Sequence, residues 1–156
     1  MSYVFDTSPL SVLFKNFSRR TFRSLWEHFD ELVDAGKIVS TREARREIED
    51  GAPENLVEWA KLHTGLFSTP TAQEGAFVAK IYSVTYFQQN IEQRKLLKGG
   101  KNADPFIIAK AAVEGGVVVT MEQLKPKAAK IPNICQHFGI RCLTLEEFME
   151  AEGWEF

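Results

Sequence analysis

The sequence lacks the features that mark several common classes of protein. It has two cysteines in 156 residues, Cys135 and Cys142. Two are too few for a disulfide framework and their spacing is not one that binds zinc, so we expect free thiols. No apolar run approaches the ~18 residues of a membrane span, and the N-terminus shows no signal-peptide pattern. We therefore expect a cytoplasmic protein with no membrane partner.

Two further absences exclude common types of catalytic and nucleotide-binding site. The sequence has no Ser/His/Asp or Cys/His set that could supply a nucleophile. The adjacent glycines Gly99 and Gly100 match neither the dinucleotide-binding motif nor the P-loop motif. The formal net charge of −2 gives no overall sign of nucleic-acid binding. If four acids were gathered in one site, however, the remaining surface would balance to −2 + 4 = +2. A mildly basic surface around an acidic pocket is therefore compatible with this total.

What the sequence does have is an alternation of short apolar strands with amphipathic helices. Its 44% hydrophobic and 26% charged residues are typical of a globular protein. We find no internal repeat, low-complexity tract or linker. The pattern predicts one α/β domain over residues 1–156, with a mainly parallel sheet. The strands predicted with least ambiguity cover residues 3–5, 37–40, 117–120 and 140–143.

The first strand and the turn after it organise this prediction. Tyr3-Val4-Phe5 is continuously apolar and stops abruptly at Asp6. Ser8 followed by Pro9 predicts an N-cap with proline at the first helical position. Asp6 would then lie at the carboxyl end of a strand, where open α/β sheets bind ligands. The alternative is that Asp6 only caps or shapes the turn with its side chain.

Three more acids occupy comparable positions. Asp104 precedes Pro105 at a predicted helix start, Glu122 follows the Val-rich strand, and Glu47 lies on the helix after the second strand. The carboxyl ends of parallel strands lie on one edge, so these acids can converge on Asp6. Each also has a structural explanation: Asp104 as an N-cap, Glu47 as a solvated charge, and Glu122 in an exposed turn.

Glu43 is a competing candidate on the same helix as Glu47. Ser40 and Glu43 match the S-x-x-E capping box, which gives Glu43 a structural role. Glu47 lies one turn further along, on the same side of the helix. The pattern therefore favours Glu47 as the site residue and leaves Glu43 open.

Clustered carboxylates indicate a cation. Like charges repel, so a pocket of four acids requires protonation or a bound ion. Hard oxygen ligands suit Mg²⁺ or Mn²⁺, which also bind substrate phosphates. Such an ion can activate a water for in-line attack on a phosphodiester.

These residues resemble the PIN domain. The segments that carry the resemblance are the strand-Asp-Thr-Ser-x-Leu opening, the acid after the second strand, Ala-Asp-Pro-Phe-Ile-Ile-Ala-Lys-Ala (103–111), Val-Val-Val-Thr-Met-Glu (117–122) and Lys-Ile-Pro-Asn-Ile-Cys (130–135). The resemblance covers essentially the whole chain. It is closest to a bacterial PIN-like family of unassigned function, related to the VapC-type toxins. It implies a three-layer α/β fold in which helices flank a short, mainly parallel sheet of about four to five strands.

The resemblance also implies a function, a metal-dependent endoribonuclease that hydrolyses RNA with Mg²⁺ or Mn²⁺. Asp6 matches the first metal-binding and catalytic acid, Glu47 the second and Asp104 the third. The fourth departs from the family pattern, because typical toxins carry Thr-x-Asp where this chain has Thr120-Met121-Glu122. The departure puts a second ion in question more than the first.

Other residues are assigned by the same resemblance. Thr7, Ser8 and Thr120 resemble the family's hydroxyls near the metals, although turn and capping roles explain them better. Candidate phosphate contacts, for which a solvated basic loop is an equal explanation, are Lys101, Lys125, Lys127 and Lys130.

The resemblance leaves the biological role open. It implies an RNA substrate and allows a toxin role, an antitoxin protein that masks the site, and a homodimer. The alternative function is a catalytically idle PIN-like module that binds RNA or a protein partner without cutting. A phosphoaspartate protein ranks lower, because the phosphatase type needs a second aspartate where this chain has Ser8.

Overall fold

A computed structural model describes residues 1–91 and 102–156 of the protein. In these residues five short strands form one parallel sheet: β1 (Tyr3–Phe5), β2 (Ile38–Thr41), β3 (Phe67–Ser68), β4 (Val117–Val119) and β5 (Cys142–Leu143). Their spatial order is β3-β2-β1-β4-β5. The chain runs outward from β1 to one edge and then crosses to the other side, so the strand order reverses between β1 and β4.

Helices cover both faces of this sheet. They are α1 (Thr7–Asn16), α2 (Arg23–Asp34), α3 (Arg42–Gly51), α4 (Glu54–Leu62), α5 (Ala72–Ser83), α6 (Asp104–Glu114), α7 (Ile131–Phe138) and α8 (Leu145–Ala151). Buried residues of α1, α2, α4 and α8 form one apolar cluster, and those of α5, α6 and α7 form another. None of the helices in the described ranges is both long and apolar enough to cross a bilayer.

The alternation of side chains along β1 and β4 separates the two clusters. Tyr3 and Phe5 belong to the first cluster and Val4 to the second. The three valines of β4 divide in the same way, with Val118 alone in the second cluster. Successive strand residues point to opposite faces, so a strand buried on both faces must be apolar throughout. The predicted three-layer α/β class is confirmed, and the sheet is parallel throughout.

Two predicted helix caps are wrong, and both errors lie beside the candidate site. Helix α1 begins at Thr7, and Asp6 rather than Ser8 is its N-cap. Helix α3 is capped by Thr41, whose Oγ1 accepts a hydrogen bond from the Ala44 N–H at 3.2 Å. Ser40 instead lies inside β2 and donates to the Phe5 carbonyl at 2.7 Å. Its hydroxyl is therefore committed to the neighbouring strand, and the Ser40–Glu43 capping box does not form.

Other local predictions are confirmed. Thr144-Leu145-Glu146-Glu147 matches a capping box at the start of the C-terminal helix. This box is present, with Thr144 and Glu147 each accepting a hydrogen bond from the other's backbone N–H. Cys135 and Cys142 are free thiols. The predicted loop at 98–102 lies outside the described residues except for Asn102.

Two adjacent glycines, Gly115 and Gly116, allow β4 to begin close to the start of β1. Gly115 ends α6 with a φ of +68°, which is the left-handed conformation that favours glycine. A Cβ on Gly116 would lie 2.8 Å from the Ser2 carbonyl oxygen, closer than a side chain can approach. Gly116 therefore allows the chain to enter β4 directly beside the start of β1.

Candidate active site

Asp6 lies at the point where the strand order reverses. Its backbone N–H donates to the Val119 carbonyl at 2.9 Å, which joins the carboxyl ends of β1 and β4. The side chain is only 4% exposed. Ligands of open α/β sheets bind in the crevice outside the carboxyl ends of the strands at such a reversal. The fold thus places Asp6 where the sequence predicted it.

Three neutral donors hold the Asp6 carboxylate. Oδ1 accepts from the Thr7 N–H at 2.8 Å. Oδ2 accepts from the hydroxyls of Ser8 at 3.2 Å and Thr120 at 3.0 Å. Thr120 is itself buried at the end of β4. These bonds orient the carboxylate without neutralising its charge.

Glu47 joins the beginnings of two helices at this edge. Its Oε1 accepts from the Thr7 hydroxyl at 2.9 Å, and its Oε2 accepts from the Ala103 N–H at 3.2 Å. Thr7 is the first residue of α1, and Ala103 directly precedes α6. Glu47 therefore hydrogen-bonds Thr7, the residue after Asp6, and Ala103, the residue before Asp104.

Glu43 points to a different environment. Its Oε2 pairs with the Arg42 guanidinium at 2.8 Å and lies 3.9 Å from that of Arg46. The sequence-based reason for preferring Glu47, a capping box at Glu43, is wrong. The preference itself agrees with the geometry, because Glu47 is the acid of α3 that hydrogen-bonds toward Asp6 and Asp104.

Asp104 is the first residue of α6 and is fully buried. Its Oδ2 accepts from the Asn90 amide at 3.0 Å. The N-cap residue is Ala103, whose own side chain makes no cap hydrogen bond. The alternative that Asp104 serves as an N-cap is therefore wrong. Its backbone N–H donates to Asn102 Oδ1 at 3.2 Å, so two asparagines hold this residue.

Glu122 stands on the loop that follows β4. Its N–H donates to the Thr120 hydroxyl at 3.2 Å, and its Oε2 accepts from the Ile131 N–H at 2.9 Å. Since Ile131 opens α7, Glu122 satisfies a backbone donor at that helix start. The residue is half-buried, so an exposed turn does not describe it. It has a structural task that the sequence did not predict.

The charges of the four acids act on one another. The pKa of Asp6 is raised from its usual 3.8 to about 7, chiefly by burial and then by the negative charges of Asp104, Glu122 and Glu47, in that order of importance. The Thr7 N–H opposes this shift. The structure therefore brings all four predicted acids into one electrostatic neighbourhood around Asp6.

An open cleft of about 600 Å³ leads to Asp6. Two of the predicted lysines reach it, Lys125 and Lys130, both from the loop after β4. Lys127 is absent from the cleft lining, and its carbonyl accepts from the Tyr86 hydroxyl. Lys101 lies outside the described residues. The side chains that line the cleft are Asp6, Thr7, Ser8, Met121, Glu122, Gln123, Lys125 and Lys130.

The donor set fits a hard divalent cation. The four acids offer oxygen atoms only, and the buried Asp6 carboxylate gains by a positive partner. Within residues 1–91 and 102–156, no three His, Cys, Asp or Glu side chains form a ready-made group around one point. Mg²⁺ usually keeps several waters and takes one or two carboxylates together with substrate phosphates. Asp6 with one or two of its neighbours is a set of that kind.

The sequence missed how the acids are held. Turn and capping roles were favoured for Thr7, Ser8 and Thr120, yet all three hydroxyls donate to acids of the site. Asn90 belongs to a polar stretch, residues 88–98, whose composition predicts a partly exposed turn of helix, yet it is 2% exposed. A single asparagine in a polar stretch carries no local pattern that marks it as buried.

One comparison with known proteins bears on the whole chain. A family model described as "Domain of unknown function (DUF4411)" matches residues 3–156. A search of curated proteins gave no match. The description of the family model names no activity.

Proposed function

The chain belongs to the DUF4411 family, and from the geometry of its carboxylates we propose that it is a metal-dependent endoribonuclease of the PIN-like type. The observation that carries this proposal is Asp6, buried where the strand order reverses. Glu47, Asp104 and Glu122 lie near enough to raise its pKa. Mg²⁺ or Mn²⁺ would be held by these four acids, with Asp6 at their centre.

The chemistry of phosphodiester hydrolysis explains why such a cluster is useful. When bound, the ion supplies a Lewis acid that makes a water more acidic and offsets charge on the phosphate. Asp6 and Asp104 provide the negative charge that holds it. Thr7, Ser8 and Thr120 orient the Asp6 carboxylate through neutral hydrogen bonds, which keeps its charge available.

The cleft has room and charge for an RNA backbone. Its lining includes Lys125 and Lys130 from the loop after β4, together with the acids Asp6 and Glu122. In this proposal Lys125 and Lys130 bind phosphates on either side of the scissile bond. We further place the protein in the cytoplasm. A toxin role, with an antitoxin protein or a second copy covering the open cleft, belongs to the same proposal.

The test is cleavage of a labelled RNA by the purified chain with Mn²⁺, with Mg²⁺ and with EDTA. We expect cleavage that requires the ion and that leaves a matched DNA strand intact. A high-purity preparation of Asp104→Asn, made in parallel, controls for contaminating nucleases. Equal cleavage by wild type and Asp104→Asn would remove the site assignment.

The second candidate function is an idle PIN-like module. Two observations favour it: one oxygen of Glu122 is engaged by the start of α7, and no three acids of the described residues converge on one point. This module would bind RNA in the cleft without cutting it. Binding by wild type without cleavage under every ion condition would establish this alternative.

Glu47 and Glu43 offer a matched pair of substitutions on one helix. Glu47→Gln is expected to weaken Mn²⁺ binding by about 10- to 100-fold, because it removes a charge next to Asp6 and Asp104. Glu43→Gln, in contact with Arg42 instead, should leave Mn²⁺ affinity within about twofold. The measurement is isothermal titration with MnCl₂ on both variants. A larger loss in Glu43→Gln would reverse the assignment.

The two lysines that line the cleft are expected to bind RNA through the negative charge of its phosphates. Lys125→Ala and Lys130→Ala should each weaken the binding of single-stranded RNA, measured with Ca²⁺ or EDTA to suppress cleavage. Each should reduce the slope of log affinity against log salt by about 0.7, the value for one phosphate contact on a single strand. Lys127→Ala, outside the cleft lining, is the control and should keep the wild-type slope. Unchanged slopes in all three would exclude these lysines as phosphate contacts.

A further inference from the structure

A buried asparagine behind the cleft contacts one of the four acids. Asn90 is 2% exposed and belongs to a helical stretch at residues 88–91, which lies outside the sheet. Its Nδ2 donates to Asp104 Oδ2 at 3.0 Å and to the Ala129 carbonyl at 3.0 Å. Both hydrogens of the amide are thereby used on acceptors that cannot donate.

The opposite side of the same amide is equally determined. Asn90 Oδ1 accepts from the Tyr82 hydroxyl at 3.1 Å and from Asn102 Nδ2 at 2.7 Å. A flipped amide would place its nitrogen against the Asn102 nitrogen and its oxygen against the Asp104 carboxylate. The network therefore permits one orientation, with the donor end toward Asp104.

The second acceptor of Asn90 is the Ala129 carbonyl, which lies in the loop that follows β4. Ala129 is buried in the loop that follows β4 and carries Lys125 and Lys130. Two residues later, the Ile131 N–H donates to Glu122. One amide thus connects the Asp104 carboxylate with the segment that positions Glu122.

We propose that Asn90 is a positioning residue that fixes the Asp104 carboxylate against the loop after β4 and thereby sets the affinity of the site for a divalent cation. The inference rests on the metal site of the proposed function. A neutral amide suits this task. It directs the carboxylate through a hydrogen bond but adds no positive charge that would compete with the ion. Ligating carboxylates are usually held by such outer hydrogen bonds, whose loss weakens metal binding.

Tyr82→Phe is the matched control within the same network. It removes the hydrogen bonds that the Tyr82 hydroxyl donates to Asn90 Oδ1 and accepts from Asn102 Nδ2, but it leaves both bonds of Asn90 Nδ2 in place. If the role of Asn90 were purely structural, the two substitutions would have the same kind of effect on Mn²⁺ affinity. A positioning role separates them, since of the two substitutions only Asn90→Ala removes the hydrogen bond from Asn90 Nδ2 to the Asp104 carboxylate.

The experiment is a Mn²⁺ titration by calorimetry on wild type, Asn90→Ala, Tyr82→Phe, Asp104→Asn and the double variant Asn90→Ala/Asp104→Asn. We expect Asn90→Ala to weaken binding by about 10- to 100-fold and Tyr82→Phe to change it by less than about twofold. In the Asp104→Asn background, removal of Asn90 should cause no further loss, because it acts through that residue. If Asn90→Ala does not fold, Asn90→Ser replaces it, since its hydroxyl is too short to reach both acceptors.

The outcomes separate this inference from the proposed function. Wild-type affinity in a destabilised but folded Asn90→Ala would overturn the positioning role. So would a loss of equal size in the Asp104→Asn background, or failure of wild type to bind Mn²⁺. If Mn²⁺ binding follows the expected pattern and RNA is nevertheless not cut, the inference stands and the ribonuclease proposal fails.

Discussion

Asp6→Asn is expected to lower metal-dependent RNA cleavage by about 10³-fold or more, a loss of about 4 kcal/mol in transition-state stabilisation. The reason is that Asp6 is buried and lies within electrostatic reach of the other three acids, each of which raises its pKa. The fold should tolerate the change. The new side chain can still accept from the Thr7 N–H, and the Ser8 and Thr120 hydroxyls can turn to accept from its amide.

The measurement is the single-turnover rate of RNA cleavage in Mn²⁺, with circular dichroism to verify folding. Asp34→Asn is the control, because it makes the same chemical change at an exposed position near the end of α2. It should cleave at the wild-type rate. Asp6→Asn that is folded and retains more than about a tenth of wild-type activity would refute a central role for Asp6.

In the metal-free protein, stability is expected to fall by about 3 kcal/mol between pH 5 and pH 8 through Asp6 alone. The folded-state pKa of Asp6 is about 7, against a usual value of 3.8. Between these values the folded protein retains a proton that the unfolded chain has lost. The free energy of unfolding therefore falls by ~1.4 kcal/mol per pH unit as the pH rises. The fall ends once Asp6 also ionises in the folded protein, near pH 7.

Urea unfolding in EDTA at pH 5 and pH 8 measures this difference. Other groups titrate over the same range, so the comparison with Asp6→Asn isolates the contribution of Asp6. We expect Asp6→Asn to be more stable than wild type at pH 8 and to show a smaller pH dependence. Adding Mn²⁺ should restore wild-type stability at pH 8 and have little effect on the variant. Parallel pH profiles for the two proteins would contradict the assigned burial and repulsion at Asp6.

The sequence predicted the parts of this structure that depend on local pattern. Continuous apolar triplets identified β1 and β4, because strands buried on both faces show no alternation. Thr144 and Glu147 identified the C-terminal helix through a capping box that uses residues only three apart. The positions of Asp6 and Glu122 after their strands followed from the same patterns, and the parallel topology then placed both on one edge.

Contacts between segments that are far apart in the sequence could not be predicted from local pattern. Ser40 has the local pattern of a cap, but its hydroxyl is taken by the Phe5 carbonyl of the adjacent strand. Asn90 is buried because it meets Asp104 and Ala129, which lie 14 and 39 residues away. Glu122 is held by Ile131 for a comparable reason. In each case tertiary hydrogen bonding overrides the local preference of a polar side chain.

The central claim is that the carboxylates at the ends of β1 and β4 bind a divalent cation. The most direct test is the anomalous scattering of Mn²⁺ in crystals grown or soaked with MnCl₂. We predict an anomalous peak in the cleft within ligating distance of Asp6 and of at least one of its neighbouring acids. The peak should disappear in Asp6→Asn. A wild-type crystal saturated with Mn²⁺ that shows no peak beside Asp6, or shows one only elsewhere, would contradict the account.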